Sequence, residues 1–352
     1  MVWSMRGVRC LPQLAGLVAG VAATVMLMPP PAAAAPSVRD KTGGCTWVVN
    51  ELPLPAGWSS GHVRNSDRHH SFAGYGVDAD GRTRPLVWHD GEVTVLDAPG
   101  GTDATAQDVN SHGDVIGVTQ GEDTPSRGVL WRGGQVIDLP LLPGGYAVPT
   151  AINDAGLIVG YAVAGGASHA VAWTADSPHS IQDLGVMAGN AYLTDVTQHG
   201  AVVGWVEAVG EFRQQAIKGT VSEGLTTLPG PVSGSSSVAR AAAGPYIVGT
   251  AVLTGGPEDL GQAVVWAPTG PRALPGNHPT AAGVNDHGTV VGFDAHLGPV
   301  IWVGDQQQPL PALAAGDPFS TAASVVTNNN TAAGNSADAQ GRTRPVTWSC
   351  TA

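Results

Sequence analysis

Short apolar runs alternate with polar turns along most of the chain, and nothing in these runs indicates a helix. Residues 157–163 are typical, because this run is rich in β-branched residues and follows a turn, NDAG, at residues 153–156. In such a turn the Asn or Asp side chain caps the backbone, while Gly supplies a positive φ. The pattern therefore predicts an all-β chain of short strands.

A glycine recurs within these runs at a nearly constant interval. Its occurrences are Gly74, Gly117, Gly160, Gly204, Gly249, Gly292 and Gly334, with successive gaps of 43, 43, 44, 45, 43 and 42 residues. A Trp follows at Trp88, Trp131, Trp173, Trp266, Trp302 and Trp348, whereas the fourth unit has Lys218 in that place. A fixed period of this length is the signature of a repeat architecture. We count seven units, each with room for four short strands.

Four-stranded units too small to bury their own faces are typical of a β-propeller, and a solenoid of stacked units is the alternative. Only four residues follow Trp348, so the seventh unit lacks a fourth strand. Residues 46–55 (TWVVNELPLP) resemble the fourth strand and exit of the second unit, VIDLPLLP at residues 136–143. We therefore predict a seven-bladed β-propeller of four-stranded antiparallel blades over residues 45–352. The N-terminal strand, within residues 46–52, completes the last blade and closes the ring.

The third unit also carries a recognisable set of residues. It reads NDAGLIVG, then HAVAW, then DLG, through Asn153, Asp154, Gly156, Val159, Gly160, His169, Ala170, Trp173, Asp183, Leu184 and Gly185. This pattern resembles the bacterial HAF-repeat proteins, which are exported chains named for a His-Ala-Phe tripeptide before a Trp. Val171 stands where that family has Phe. The resemblance extends over residues 45–352; it implies a propeller and export but no assigned chemistry.

The N-terminus has the features of a secretory signal peptide. Arg6 and Arg9 precede an apolar run over residues 11–28, and the small residues 32–35 follow. We predict a signal peptide at residues 1–35, cleaved near Ala34, then a short linker at residues 36–44, and a secreted bacterial protein. Because the apolar run approaches the length of a membrane span, an uncleaved anchor is the alternative.

Two cysteines remain after this cleavage. Cys45 and Cys350 are expected to form one disulfide, since exported chains favour pairing; a free or intermolecular thiol is the alternative. In a closed ring these residues lie side by side, so the bridge would join the two ends of the mature chain.

Composition narrows the possible partners. Hydrophobic residues make up 43% of the chain, the net charge is -12, and the sequence contains no block of Lys or Arg. The negative charge and the lack of a basic block argue against a nucleic-acid partner or an anionic membrane as partner. We expect a monomer without a cofactor.

No grouping of catalytic or metal-binding residues stands out. His112, His199 and His287 occupy the same turn position in different units, which places them too far apart to share one ion. The strings DADGRTRP (residues 78–85) and DAQGRTRP (residues 338–345) predict hairpin loops with Asp-Arg pairing, and a joint calcium or anion site is the alternative. We assign no catalytic, metal or cofactor residue.

A candidate ligand face lies where the links between blades gather in a propeller. These links carry Trp58, Tyr146, Tyr192 and Phe319; loops between second and third strands add Phe212 and the acids Glu122, Asp123, Glu207, Glu258 and Asp259. Aromatic and acidic side chains together can stack sugars or hold a protein partner. The first hypothesis is a non-catalytic binding module for an extracellular protein or polysaccharide. The alternatives are a hydrolase or lyase at one mouth of the central tunnel, and a self-associating matrix component.

Overall fold

The computed structural model describes residues 37–39 and 46–351, apart from residues 100–101, 122–125, 188, 209–212, 233–234 and 253–260. This part of the chain forms 29 β-strands, from β1 to β29, and a 3-10 turn at Pro318–Ser320. The strands assemble into six four-stranded sheets and one five-stranded sheet. No helix among the described residues has the length and apolar character needed to cross a membrane. The predicted signal peptide at residues 1–35 lies outside the described residues.

The first two strands are β1 (Ser37–Arg39) and β2 (Thr46–Glu51), and the remaining strands form the blades in chain order. Blade 1 contains β3 (Ser60–Ser66), β4 (Ser71–Val77), β5 (Thr83–His89) and β6 (Glu92–Val95). Blade 2 contains β7 (Asp103–Val109), β8 (Val115–Gln120), β9 (Arg127–Arg132) and β10 (Gln135–Asp138). Blade 3 contains β11 (Tyr146–Ile152), β12 (Leu157–Ala164), β13 (Ala167–Thr174) and β14 (Ser177–Gly185).

Blade 4 contains β15 (Gly189–Val196), β16 (Ala201–Ala208), β17 (Gln214–Thr220) and β18 (Gly224–Thr227). Blade 5 contains β19 (Ser237–Ala243), β20 (Tyr246–Ala251), β21 (Gln262–Ala267) and β22 (Gly270–Ala273). Blade 6 contains β23 (Thr280–Val284), β24 (Val290–Asp294), β25 (Gly298–Val303) and β26 (Gln306–Pro309). Blade 7 begins with β27 (Thr321–Val326), β28 (Ala332–Ala337) and β29 (Thr343–Thr351).

The seven blades close into a ring. Each first strand contacts the first strand of the next blade, and β27 of blade 7 contacts β3 of blade 1. These first strands therefore surround the central channel. The turns from first to second strands mark one face of the ring, which we call the turn face. The links between blades mark the opposite face, the link face. The predicted seven-bladed propeller of four-stranded antiparallel blades is confirmed.

The N-terminal strand completes blade 7, as predicted. Strand β2 pairs antiparallel with β29, with Thr46 opposite Thr351 and Trp47 opposite Cys350. Strand β1, within the predicted linker, pairs in turn with β2 and gives this sheet its fifth strand. Cys45 lies outside the described residues. Thr46, the residue after Cys45, nevertheless lies opposite Thr351 at the end of β29.

The recurrent glycine has a steric cause. Each first strand carries a β-bulge against the second strand, and the recurrent glycine lies beside it. In blade 3 a Cβ on Gly160 would lie 2.1 Å from the carbonyl oxygen of Val148. The other six glycines would place a Cβ 1.9–2.0 Å from the equivalent oxygen. Any side chain at these positions would force the backbones apart.

The recurrent tryptophans fasten each blade to the link that leaves the previous one. Trp302 is fully buried, and its Nε1 donates a hydrogen bond to the carbonyl of Pro275 at 2.9 Å. The same bond joins Trp88 to Pro53, Trp131 to Asp97, Trp173 to Pro140, Trp266 to Pro229 and Trp348 to Pro311. In blade 4 the equivalent Lys218 is exposed and lines a cavity of about 390 Å³ between blades 4 and 5.

The Asn-containing turns connect neighbouring blades as well as capping themselves. The side-chain oxygen of Asn285 accepts hydrogen bonds from the backbone N–H groups of His287 and Thr289, at 3.1 and 2.9 Å. Its amide nitrogen donates to the carbonyl of Thr327 in blade 7, at 2.9 Å. Asn110 and Asn153 make the equivalent bonds to the next blade. The turn motif thus builds the blade interfaces on the turn face.

Candidate binding surfaces

The predicted ligand-face residues do not form one patch. Trp58 is half-buried against the core of blade 1, where a Cβ on Gly76 would lie 2.7 Å from its ring. Phe319 is 66% exposed, and its ring centroid lies 5.2 Å from that of Phe293. Phe212 lies outside the described residues, as do Glu122, Asp123, Glu258 and Asp259. Glu207 is half-buried on β16.

Tyr146 and Tyr192 belong to one aromatic cluster between blades 3 and 4. The ring of Tyr192 stacks on that of Trp205 with centroids 4.2 Å apart, and it meets Tyr161 edge-on at 5.1 Å. Tyr146 begins β11, is 39% exposed and lies opposite Val163, two residues along β12 from Tyr161. We call Tyr146, Tyr161, Tyr192 and Trp205 the aromatic seam. Its three inner rings are only half-buried, so part of each remains open to solvent.

Two members of the aromatic seam, Tyr161 and Trp205, were not predicted. Each follows the recurrent glycine of its blade by one residue, as Tyr75 and Phe293 do in blades 1 and 6. An aromatic residue directly after the recurrent glycine was the sequence signal that could have identified both residues. Burial, followed by the neighbouring Tyr146 and Tyr192, raises the pKa of Tyr161. Its hydroxyl therefore stays protonated at neutral pH and can donate a hydrogen bond.

The central channel presents one bulged residue from each first strand. These residues are Arg64, Gln107, Thr150, Thr194, Arg240, Ala282 and Ser324, and they line a cavity of about 370 Å³. The Thr150 hydroxyl shares its one proton between the carbonyls of Val159 and Leu193, at 3.1 and 2.9 Å, so it ties blade 3 to blade 4. Arg64 and Arg240 are exposed, and neither side chain makes a hydrogen bond or ion pair with the described residues.

Arg64 stands over an aromatic pair beside the channel. Its guanidinium carbon lies 5.3 Å from the ring centroid of Tyr75, and the His62 ring stacks on Tyr75 at 4.7 Å. Burial, followed by the positive charge of Arg64, lowers the pKa of His62. His62 is therefore neutral at neutral pH and adds no charge here.

An ion pair spans the turn-face end of the channel. The Arg68 guanidinium lies 3.4 Å from the Asp195 carboxylate. These residues come from blades 1 and 4, which are not neighbours, so the pair reaches across the ring. Burial raises the pKa of Asp195, and it raises that of the nearby Asp108 well above its usual value.

Both buried carboxylates join successive blades. Asp195 accepts hydrogen bonds from the backbone N–H groups of Val196 and Ala242, each at 2.8 Å. Asp108 accepts them from Val109 and Ile152, each at 2.9 Å. Both carboxylates therefore stabilise the contact between their own blade and the next one.

The two related loops on the link face are hairpin loops with Asp-Arg pairing, as predicted. Asp78 caps its loop by accepting from the backbone N–H groups of Asp80 and Arg82, and it pairs with Arg84 at 2.9 Å. The Arg82 N–H and then the Arg84 side chain lower the pKa of Asp78. Asp338 pairs with Arg342 at 2.8 Å. Within the described residues, no three His, Cys, Asp or Glu side chains are grouped so as to hold a metal ion.

Comparison with solved structures finds several similar rings. An oligogalacturonate lyase in complex with manganese has a TM-score of 0.57 at 13% identity over 90% of this chain and 96% of the lyase. A puromycin-hydrolyzing peptidase of Mycobacterium tuberculosis gives 0.54 at 13% identity, covering 85% of this chain and 52% of the peptidase. A prolyl endopeptidase gives 0.51 at 11% identity, covering 87% and 47%.

These likenesses establish the fold alone, because all three identities are below 14%. The chain spans about half the length of the two peptidases and nearly the whole lyase. No family model matches the sequence, and no curated protein matches it at the sequence level.

Proposed function

We propose that this protein is a secreted, non-catalytic binding module whose ligand, an extracellular protein or polysaccharide, contacts the aromatic seam. The observation that carries the proposal is the stack of Tyr192 on Trp205 with Tyr161 edge-on, all half-buried at the junction of two blades. Tyr and Trp give large contact areas at little entropic cost and keep a polar group for hydrogen bonding. The rigid propeller holds the aromatic side chains in place before the ligand arrives, which lowers the entropic cost of binding.

The proposal includes export and ring locking. Residues 1–35 act as the signal peptide, and the resemblance to HAF-repeat proteins supports the same destination. A Cys45–Cys350 disulfide holds β2 against β29, since Trp47 lies opposite Cys350 in that pair. The protein works as a monomer and needs no cofactor.

A binding screen with residues 36–352 tests the proposal. A glycan array and a pull-down from extracellular protein extract present the two ligand classes separately. Once a ligand is found, Trp205→Ala should weaken its binding by about tenfold or more, as truncation of a central aromatic contact does. Phe319→Ala is the matched control, because Phe319 is an exposed aromatic residue outside the aromatic seam. A ligand that binds both variants equally well would place the site elsewhere.

A hydrolase or lyase at the channel is the second candidate. One observation favours it: Asp195 borders the channel cavity, and burial raises its pKa, as in many general acids. However, two backbone N–H groups and Arg68 already occupy its oxygens. Turnover of a peptide or polyuronate that disappears in Asp195→Asn would favour the enzyme. Binding of the same substrate without turnover would favour the binding module.

A further inference from the structure

Two arginines face the central channel without a counter-charge. Arg64 and Arg240 are exposed to the cavity and have no ion-pair partner among the described residues. Seven other arginines each pair with a carboxylate: Arg68, Arg84, Arg127, Arg132, Arg272, Arg342 and Arg344. The chain has a net charge of -12, so acidic side chains are plentiful. The channel therefore brings together two arginines without a paired carboxylate; Arg213 also lacks one but lies outside the cavity lining.

Asp195 does not neutralise them. It is the one carboxylate among the described residues lining the cavity, and it already faces Arg68 at 3.4 Å. Two backbone N–H groups also bond to it. Arg68 and Asp195 balance each other, so the cavity keeps the positive charge of Arg64 and Arg240.

The shape of the cavity suits a small ligand. Its volume of about 370 Å³ lies within the range of small-molecule pockets. Arg64 belongs to blade 1 and Arg240 to blade 5, which are three positions apart around the ring, so their side chains approach from different sides. Gln107 and Ser324 add polar groups to the wall.

We infer that the central channel binds a small oxyanion, a carboxylate or a phosphate, between Arg64 and Arg240. A guanidinium can bind either group through two parallel N–H bonds. Arg68 and Asp195 span the turn-face end, so the ligand enters from the link face. This site is separate from the aromatic seam, and the inference goes beyond the proposed function.

Isothermal titration calorimetry at low salt tests the site with three probes: inorganic phosphate, glucuronate and the neutral analogue glucose. At least one of the two anions should bind and glucose should not; comparing phosphate with glucuronate identifies the preferred oxyanion. Arg64→Gln and Arg240→Gln should each weaken the binding by about tenfold or more, since each removes a charge-assisted hydrogen bond. Arg213→Gln is the matched control, because Arg213 is exposed outside the cavity lining and the charge change is the same.

Three results would overturn the inference: neither anion binds at millimolar concentration, glucose binds as tightly as glucuronate, or the channel variants bind the anion as well as Arg213→Gln does. Thermal unfolding of every variant checks the fold. Neither channel arginine has a hydrogen-bond partner among the described residues, so both variants should unfold near the wild-type temperature. The bound anion should raise that temperature in the wild type and in Arg213→Gln, and raise it less in the two channel variants. If a Gln variant unfolds early, Arg64→Lys supplies the comparison, because it keeps the charge and loses the bidentate geometry.

Discussion

The blade interfaces and the central channel use the same repeat in opposite ways. In the packing of the ring the same residue type recurs from blade to blade: Gly beside the bulge inside every blade, and Trp against the preceding link in six of them. At the channel the bulged position holds Arg, Gln, Thr, Ala or Ser, depending on the blade. Positions that repeat therefore build the ring. Positions that do not repeat can carry binding chemistry: Thr150 and Thr194 hydrogen-bond to the next blade, whereas the side chains of Arg64 and Arg240 form no hydrogen bond with the described residues.

Blade 4 is the exception that sharpens this difference. Lys218 replaces the recurrent Trp, and Thr197 replaces the turn Asn. The interface on one side of this blade contains a cavity, while the other carries most of the aromatic seam. The blade that departs furthest from the repeat thus borders the best candidate ligand surface.

The largest expected effect is on a recurrent glycine, at which the first two strands of a blade pack closely together. Gly160→Ala should lower the free energy of unfolding by more than about 4 kcal/mol, because its Cβ would lie 2.1 Å from a backbone oxygen that cannot move freely. Urea unfolding followed by circular dichroism measures the change. Gly316→Ala is the control, since a Cβ there meets open space. Equal stability of the two variants would contradict the steric account of the repeat.

The next effect concerns the closing blade. Cys45→Ser and Cys350→Ser should each lower the free energy of unfolding by about 2 to 4 kcal/mol, because the predicted bridge closes a loop of nearly the whole mature chain. Under reducing conditions the free energy of unfolding of the wild type should fall to that of the two variants. Peptide mapping without reductant checks the bridge directly, and two free thiols in the secreted protein would exclude it.

A smaller effect is expected at a turn that joins two blades. Asn285→Ala should cost about 2 to 3 kcal/mol, because it leaves buried backbone groups of two blades without their partner. Asn285→Thr should cost less, since Thr197 and Thr327 fill the same position in blades 4 and 7. Urea unfolding ranks the two variants. The reverse ranking would mean that a side-chain oxygen at this position does not stabilise the turn.

The smallest effect concerns pH at the channel. Because the pKa of His62 is lowered in the folded protein, its contribution to stability is present above its usual pKa, near 6.5, and is lost as the pH falls toward the lowered value. Arg64→Gln should raise the pKa of His62 by removing one of the two causes. NMR titration of the His62 ring protons measures this pKa. No upward shift in Arg64→Gln would show that the two side chains are not coupled.

The sequence predicted the ring well because its interfaces repeat. Glycine spacing, the third-strand Trp and the likeness of residues 46–55 to the second unit were enough to predict seven blades and their closure. Strand β11 was harder: it begins at Tyr146, which the pattern placed in the link before the strand. Pro149 lies within it and is tolerated because the innermost strand has a free edge toward the channel.

The binding surfaces were predicted only in part. Tyr146 and Tyr192 were expected on one face, but Trp58 proved to be a packing residue and Phe319 lies apart from the aromatic seam. Arg64 and Arg240 were missed because each lies in mid-strand, where alternation suggests an ordinary sheet position. Only the bulge turns them toward the channel, and a one-residue shift in register cannot be read from a single sequence.

One measurement tests the separation of interface from channel most directly. It compares the affinities of Trp302→Phe and Arg64→Gln for the anion that binds the wild type, either inorganic phosphate or glucuronate. Trp302→Phe loses the bond to Pro275 and should be less stable by about 1 to 3 kcal/mol. At a temperature where it remains folded, it should still bind the anion as the wild type does. Arg64→Gln should bind at least about tenfold more weakly without losing stability. Equal affinity in both variants would contradict the account.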